Sequence, residues 1–146
     1  MAASGIFTDL RVRRGSLPVR VHRMNLVVGM VLSAAGTLVV VRSESTVMAV
    51  GGISAALFFI HFAGTSGWGY AQAIGGVRHA ASLGALQNFA SFMIASVAPV
   101  LTGWLLDRTQ SFTLSLEACS MVALLGALSY ATLGRPAAVQ ATDGRG

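Results

Sequence analysis

Residues 83–106 read LGALQNFASFMIASVAPVLTGWLL, a run of 24 positions without one ionisable side chain. A helix rises about 1.5 Å per residue, so the run reaches roughly 36 Å, enough to cross a hydrocarbon core of ~30 Å. Inside lipid no water is present to satisfy free backbone groups, so a segment of this kind is expected to be helical.

Three further apolar stretches flank it, at residues 24–41, 47–70 and 113–134. The whole chain of 146 residues is 54% hydrophobic and only 10% charged, with a mean hydropathy of +0.70. A soluble domain carries about 25% charged residues, and one this small cannot cover its surface with so few. The expected fold class is therefore all-α and integral to the membrane, with four transmembrane helices. The expected organisation is an Arg-rich cytoplasmic segment 1–23, a membrane region 24–134 and a disordered cytoplasmic tail 135–146. The first apolar run follows an Arg cluster but is 18 residues long with no small-residue cleavage site after it, unlike a signal peptide.

Orientation follows from the arginines, since the chain has ten basic residues and no lysine. Arg11, Arg13, Arg14, Arg20 and Arg23 precede the first span; Arg78 lies in the expected connection 71–82, and Arg135 and Arg145 in the tail. Four crossings put all eight on one side and leave Arg42 and Arg108 opposite. The positive-inside rule then places both termini in the cytoplasm, in a cell (inner) membrane. The net charge of +5 is thus topological; no recognition helix or aromatic-studded basic sheet points to nucleic acid. Cys119 stands alone, which excludes an intrachain disulfide and a cysteine-rich metal site, and it is expected as a small core residue. No nucleophile–base pair, metal-ligand spacing or phosphate loop is present. Gly64-x-x-Gly67-x-Gly69 has no flanking strand. The chain is read as no enzyme, without cofactor or metal.

Two motifs carry a family resemblance. Residues 5–15 read GIFTDLRVRRG. Gly5, Asp9, Arg13 and Arg14 match the cytoplasmic signature G-x-x-x-D-R-x-G-R-R of the major facilitator superfamily, and Leu10 and Val12 depart from it. The looser form resembles the copy between the eighth and ninth helices. Gly84, Asn88, Pro99 and Gly103 resemble the G-x-x-x-N…P-x-x-x-G pattern in the eleventh helix of the family's anion:cation symporter branch. Trp68, twenty residues before Asn88, is similar to a tryptophan near the end of the tenth helix. The resemblance implies that the four spans correspond to the last four of twelve, with the N-terminal helices as missing partners. It also implies that Gly5, Asp9, Arg13 and Arg14 form a cytoplasmic gating latch, in which an aspartate in a turn can cap a helix and pair with arginine.

Several residues are candidates for chemistry. Gly84, Asn88, Ser91, Ala95, Pro99 and Gly103 recur at spacings of four and three, one face of small or polar residues suited to burial against protein. Asn88 can hydrogen-bond a substrate hydroxyl or carboxylate, or pin one helix to the next. Gln87 is its neighbour on another face. Thr65 and Ser66 can reach a cavity from the end of the second span, where Trp68 and Tyr70 read more simply as interfacial anchors. Pro99 is a candidate hinge or a static kink. His61 lies mid-span, and its imidazole is a candidate for proton coupling or for a neutral bond between helices. Glu117, near the outer end of the fourth span, is read as snorkelling to water.

The expected function is transmembrane transport of a small solute. The resemblance makes that a proton-coupled symport of an organic anion, a carboxylate or sugar acid, by alternating access in a longer protein. No arginine lies inside a span to hold the anion, so this chain alone is expected to be inactive. Two rivals stand beside it. One is a small dimeric four-helix exporter, which needs an embedded acid early in the chain. The other is a non-transporting membrane scaffold or assembly subunit.

Overall fold

In the computed structural model, which describes residues 2–132, the chain is helical almost throughout. Helix α1 (Ala2–Arg13) turns at Gly15, whose φ is +87°, into α2 (Pro18–Arg42). Pro18 stands in the first turn of α2, where its missing N–H costs nothing and its fixed φ suits the helix. Ser43, Glu44 and Ser45 lead to α3 (Thr46–Thr109), and Gln110, left-handed at φ 51°, leads to α4 (Phe112–Thr132).

The 64 residues of α3 would make a rod of roughly 96 Å, about three hydrocarbon thicknesses. Gly76 divides it, with φ 54° and ψ −166°, a conformation open essentially to glycine alone. Two arms result, 46–75 and 77–109, each long enough for one crossing. Among the described residues three helices are long and apolar enough to cross a membrane, and the longest of them contains this break.

The ends of the helices fix the direction of travel. Arg23 Nη2 donates to the carbonyl oxygen of Ala131 at 2.8 Å, which joins the start of α2 to the last turn of α4. Tyr70 and Tyr130 meet edge to face at 5.8 Å between ring centroids. The start of α2, the end of the first α3 arm and the end of α4 therefore share one end of the bundle, with Gly76 just beyond it. Successive segments run up and down.

Glycine makes the closest crossing. A Cβ on Gly36 would stand 3.1 Å from the Ala56 nitrogen and the Gly52 oxygen, and one on Gly29 2.9 Å from the Phe59 oxygen. Ser33 Oγ donates to the Ala56 oxygen at 3.0 Å across the same crossing. Backbones this close gain dispersion and hydrogen bonding, the terms that join helices where the surroundings are as apolar as the side chains. Among the described residues the buried apolar set is correspondingly small: Val21, Leu26, Ala34, Ala63 and Ala127. Large side chains such as Phe58, Phe92 and Val122 point outward, as a lipid solvent permits.

Four expectations change. The first membrane helix starts at Pro18, not at residue 24, because nothing in 18–23 breaks a helix once proline has begun it. The Arg-rich segment is mostly helix rather than loop, and Asp9 sits on the exposed body of α1, so it caps no turn. The connection 71–82 shrinks to one residue: these positions stay helical on both sides of Gly76, since they hold no proline. Cys119 is exposed, not a core residue. The fourth helix, expected at 113–134, is described over Phe112–Thr132. The tail 135–146 and the Gly134-Arg135-Pro136 stop lie outside the described residues.

Candidate functional site

Two cavities open where the second arm of α3 leaves Gly76. The first, about 600 Å³, is walled by α2, both arms of α3 and α4. Its polar groups come from Tyr70, Gln87, Ser91 and Tyr130, and the rest is apolar. The second, about 570 Å³, lies between the two arms and is lined by Trp68, Gln72, Gly76, Gly84 and Asn88 among others.

Helical geometry explains the division. Adjacent residues diverge by about 100° around a helix, so Gln87 and Asn88 look into different spaces. Ser91 is about 40° from Gln87 and about 60° from Asn88 on the same wheel, and it lines the first cavity beside Gln87. The expected single face of Gly84, Asn88 and Ser91 is thus split. Gly84 and Asn88 serve the second cavity, while Ser91 joins Gln87 in the first.

Gly84 is buried because an indole lies on it: a Cβ there would stand 3.0 Å from Trp68 Cζ3. Trp68 is 43% exposed and presents the rest of its ring to the second cavity beside Asn88. It is a wall of that cavity, beyond its reading as an interfacial anchor. Tyr70, read in the same way, is half-buried against Tyr130. On the other side, Gln87 Nε2 lies 3.1 Å from the place a Cβ on Gly67 would take.

The remaining candidates are scattered. Thr65 is half-buried and its hydroxyl donates to the His61 oxygen at 3.0 Å. Ser66 is 0% exposed and donates to the Phe62 oxygen at 3.2 Å, so no solute reaches it in this packing. His61 is exposed on the first arm and lines neither cavity. Pro99 and Gly103 are exposed on the second arm, where the backbone remains helical; only Gly76 departs within α3. Glu117 is exposed on α4. Gly5, Asp9 and Arg13 lie exposed on α1, with Arg14 in the turn that follows.

His22, not singled out from the sequence, is seated against Gly69: its imidazole fills the space that a Cβ on Gly69 would occupy. Its Nδ1 is buried with no hydrogen-bond partner among the described residues. Nothing local to residue 22 announces this, because the seat lies 47 positions away in the chain. Neither cavity has a charged lining residue among those described. The amide, phenol and indole groups present can hydrogen-bond and stack on a polyol, but they leave a carboxylate without a counter-charge.

Comparison with known proteins gives two relatives. The chain is 44% identical over 135 residues, 92% of its length, to a probable L-galactonate transporter of Escherichia coli (strain K12). It is 29% identical over 131 residues to an uncharacterized transporter of Bacillus subtilis (strain 168). The chain spans 30% of the length of each of these curated relatives. No family model matches the chain, and no solved structure matches it. The chain is an all-helical membrane protein whose sequence is similar, over about nine-tenths of its length, to part of two transporters.

Proposed function

We propose that these residues form part of a transporter for small organic anions, sugar acids above all, and that solute meets the chain in the cavity shared by Trp68 and Asn88. The observation that carries this reading is the juxtaposition itself. An amide that both donates and accepts stands beside an indole face, the pair of groups that suits a polyhydroxylated chain. Its likeness to a probable L-galactonate transporter supports the substrate class.

Gln87, which lines the neighbouring cavity, and Thr65, which lines neither, are more remote contacts. The positive charge that holds the carboxylate comes from outside these 146 residues, since the arginines described lie near helix ends, in α1 or in the turn after it. His61 couples uptake to protons as a symport. Gly5, Asp9, Arg13 and Arg14 act as the cytoplasmic latch, and Pro99 as a point of bending during alternating access. The protein resides in the inner membrane with both termini cytoplasmic, in the manner of a major facilitator. Residues 1–146 alone do not transport.

The test is uptake of radiolabelled L-galactonate, under an inward proton gradient, into proteoliposomes holding these residues together with the rest of the transporter, purified from its own membranes. Saturable uptake, competed by other hexonates and not by neutral hexoses, is expected. Absence of uptake for every sugar acid tried, or equal competition by hexoses, overturns the reading.

A further inference from the structure

Two smaller cavities lie side by side at the end of the bundle where α2 begins. One, about 360 Å³, is bounded by α1, α2 and the first arm of α3. Arg11 stands at its mouth, and Met24, Val28, Leu32, Phe58 and Phe62 line most of the rest. The other, about 410 Å³, is formed by Arg20, Arg23, Met24, Val27 and Ala131. Met24 lines both, so it is the ridge between them.

Each side of that ridge carries arginine. Arg11 Nη1 lies 3.7 Å from Met24 Sδ, which sets the guanidinium level with residue 24. Arg23 is held on the other side by its bond to the Ala131 oxygen, and Arg20 is exposed beside it. Among the described residues no carboxylate lines either cavity.

Beyond Arg11 and Asn25 the first cavity is apolar, and it follows the helix crossing inward. Gly29 meets Phe59 and Ala63, and Ser33 meets Ala56, so Phe62, Phe59 and Phe58 follow α2 in reverse order away from its charged end. Met24 to Leu32 covers about 12 Å along the axis, less than half of a ~30 Å hydrocarbon core. The groove thus lies within one leaflet. A guanidinium binds phosphate through paired N–H donors. Fixed cations at the surface with an apolar groove beneath them, one leaflet deep, are complementary to an anionic phospholipid. A free anion leaves the apolar walls unused, and a membrane-spanning helix needs a face through both leaflets.

We propose that the two cavities flanking Met24 bind anionic phospholipid of that leaflet, with phosphate on Arg11 and Arg20 and an acyl chain along Val28, Leu32 and Phe58. The site shares no lining residue with the cavity of Trp68 and Asn88, so it does not depend on which solute is carried.

The test uses these residues together with the rest of the transporter, purified from its own membranes and stripped of lipid in detergent. A ligand that binds the folded state raises the melting temperature. Added phosphatidylglycerol is expected to raise it more than phosphatidylcholine, whose choline cancels the phosphate charge. Arg11→Gln combined with Arg20→Gln is expected to lose most of that difference. Arg78→Gln removes a charge at the same end but lines neither cavity, and is expected to keep it. Equal shifts with the two lipids, an unchanged difference in the double variant, the same loss in Arg78→Gln, or an equal rise with soluble glycerol phosphate overturns the proposal. A second measurement needs no substitution. Phosphatidylglycerol with a photoreactive diazirine in its acyl chain is expected to label Val28, Leu32 or Phe58, and adducts confined to residues outside this groove contradict the proposal.

Discussion

The guanidinium of Arg23 donates to the carbonyl of Ala131 at 2.8 Å, across 108 residues of sequence. Ala131 lies in the last described turn of α4, and a carbonyl near the C-terminal side of a helix carries partial negative charge that favours a cation. A cation from the start of α2 therefore ties that helix to the last described turn of α4. Arg23→Gln is expected to destabilise the protein by about 1.5–3 kcal/mol, the range for a hydrogen bond to a charged group. Arg23→Lys keeps the charge and recovers part of the loss. Thermal unfolding in detergent, with Arg20→Gln as the exposed comparison, measures both.

The crossing of α2 with the first arm of α3 makes a contrast between glycines. Gly36→Ala drives a methyl against backbone atoms of Gly52 and Ala56, which cannot move aside as a side-chain tip can. A loss of about 1–3 kcal/mol is expected, as for overpacking. Gly51 has nothing within 4 Å of its Cβ position. Gly51→Ala is expected to be neutral or to stabilise by up to ~1 kcal/mol through helix propensity. Equal effects at the two sites in the same unfolding assay count against this packing.

Gly76 is the point at which α3 is divided, and its backbone lies where a Cβ is not tolerated. Gly76→Ala is expected to cost about 1–3 kcal/mol, although no neighbouring atom lies within 4 Å of its Cβ position. The penalty is conformational, so Gly76→Val is expected to be at least as severe. A melting temperature that does not change in either variant argues for a continuous helix through residue 76.

His61→Gln is expected to abolish uptake driven by a proton gradient while leaving exchange of labelled for unlabelled solute across the membrane. The check is to measure both activities in the same proteoliposomes. Loss of both, or of neither, removes His61 from coupling.

Much of this was legible in the amino-acid order. Hydropathy alone locates the apolar runs, because each is bounded by charge or by turn residues and is long enough to cross lipid. What it misjudged were joints. Gly75-Gly76 looked like the middle of a loop, but the surrounding residues are good helix formers, and only the backbone angles of Gly76 break the helix. The site was legible in part. Asn88 and Trp68 stand twenty residues apart in the sequence, and the fold brings them to one cavity through the buried glycine at position 84. The seat of His22 on Gly69 and the Tyr70–Tyr130 contact join residues 47 and 60 positions apart, and no local pattern encodes such pairings. Ser91 was placed on the wrong face because a spacing of three fits two neighbouring stripes of a helix about equally.

The most direct test of the account is the Michaelis constant for L-galactonate uptake in Asn88→Ala, set beside Gln87→Ala, in proteoliposomes with matched protein content. Loss of one substrate hydrogen bond at a neutral group predicts a rise in KM of roughly tenfold for Asn88→Ala, equivalent to about 1.4 kcal/mol. Gln87→Ala, facing the other cavity, is predicted to change KM by less than about threefold. A larger effect at Gln87 than at Asn88 would contradict the account and move the solute to the cavity between Tyr70 and Tyr130.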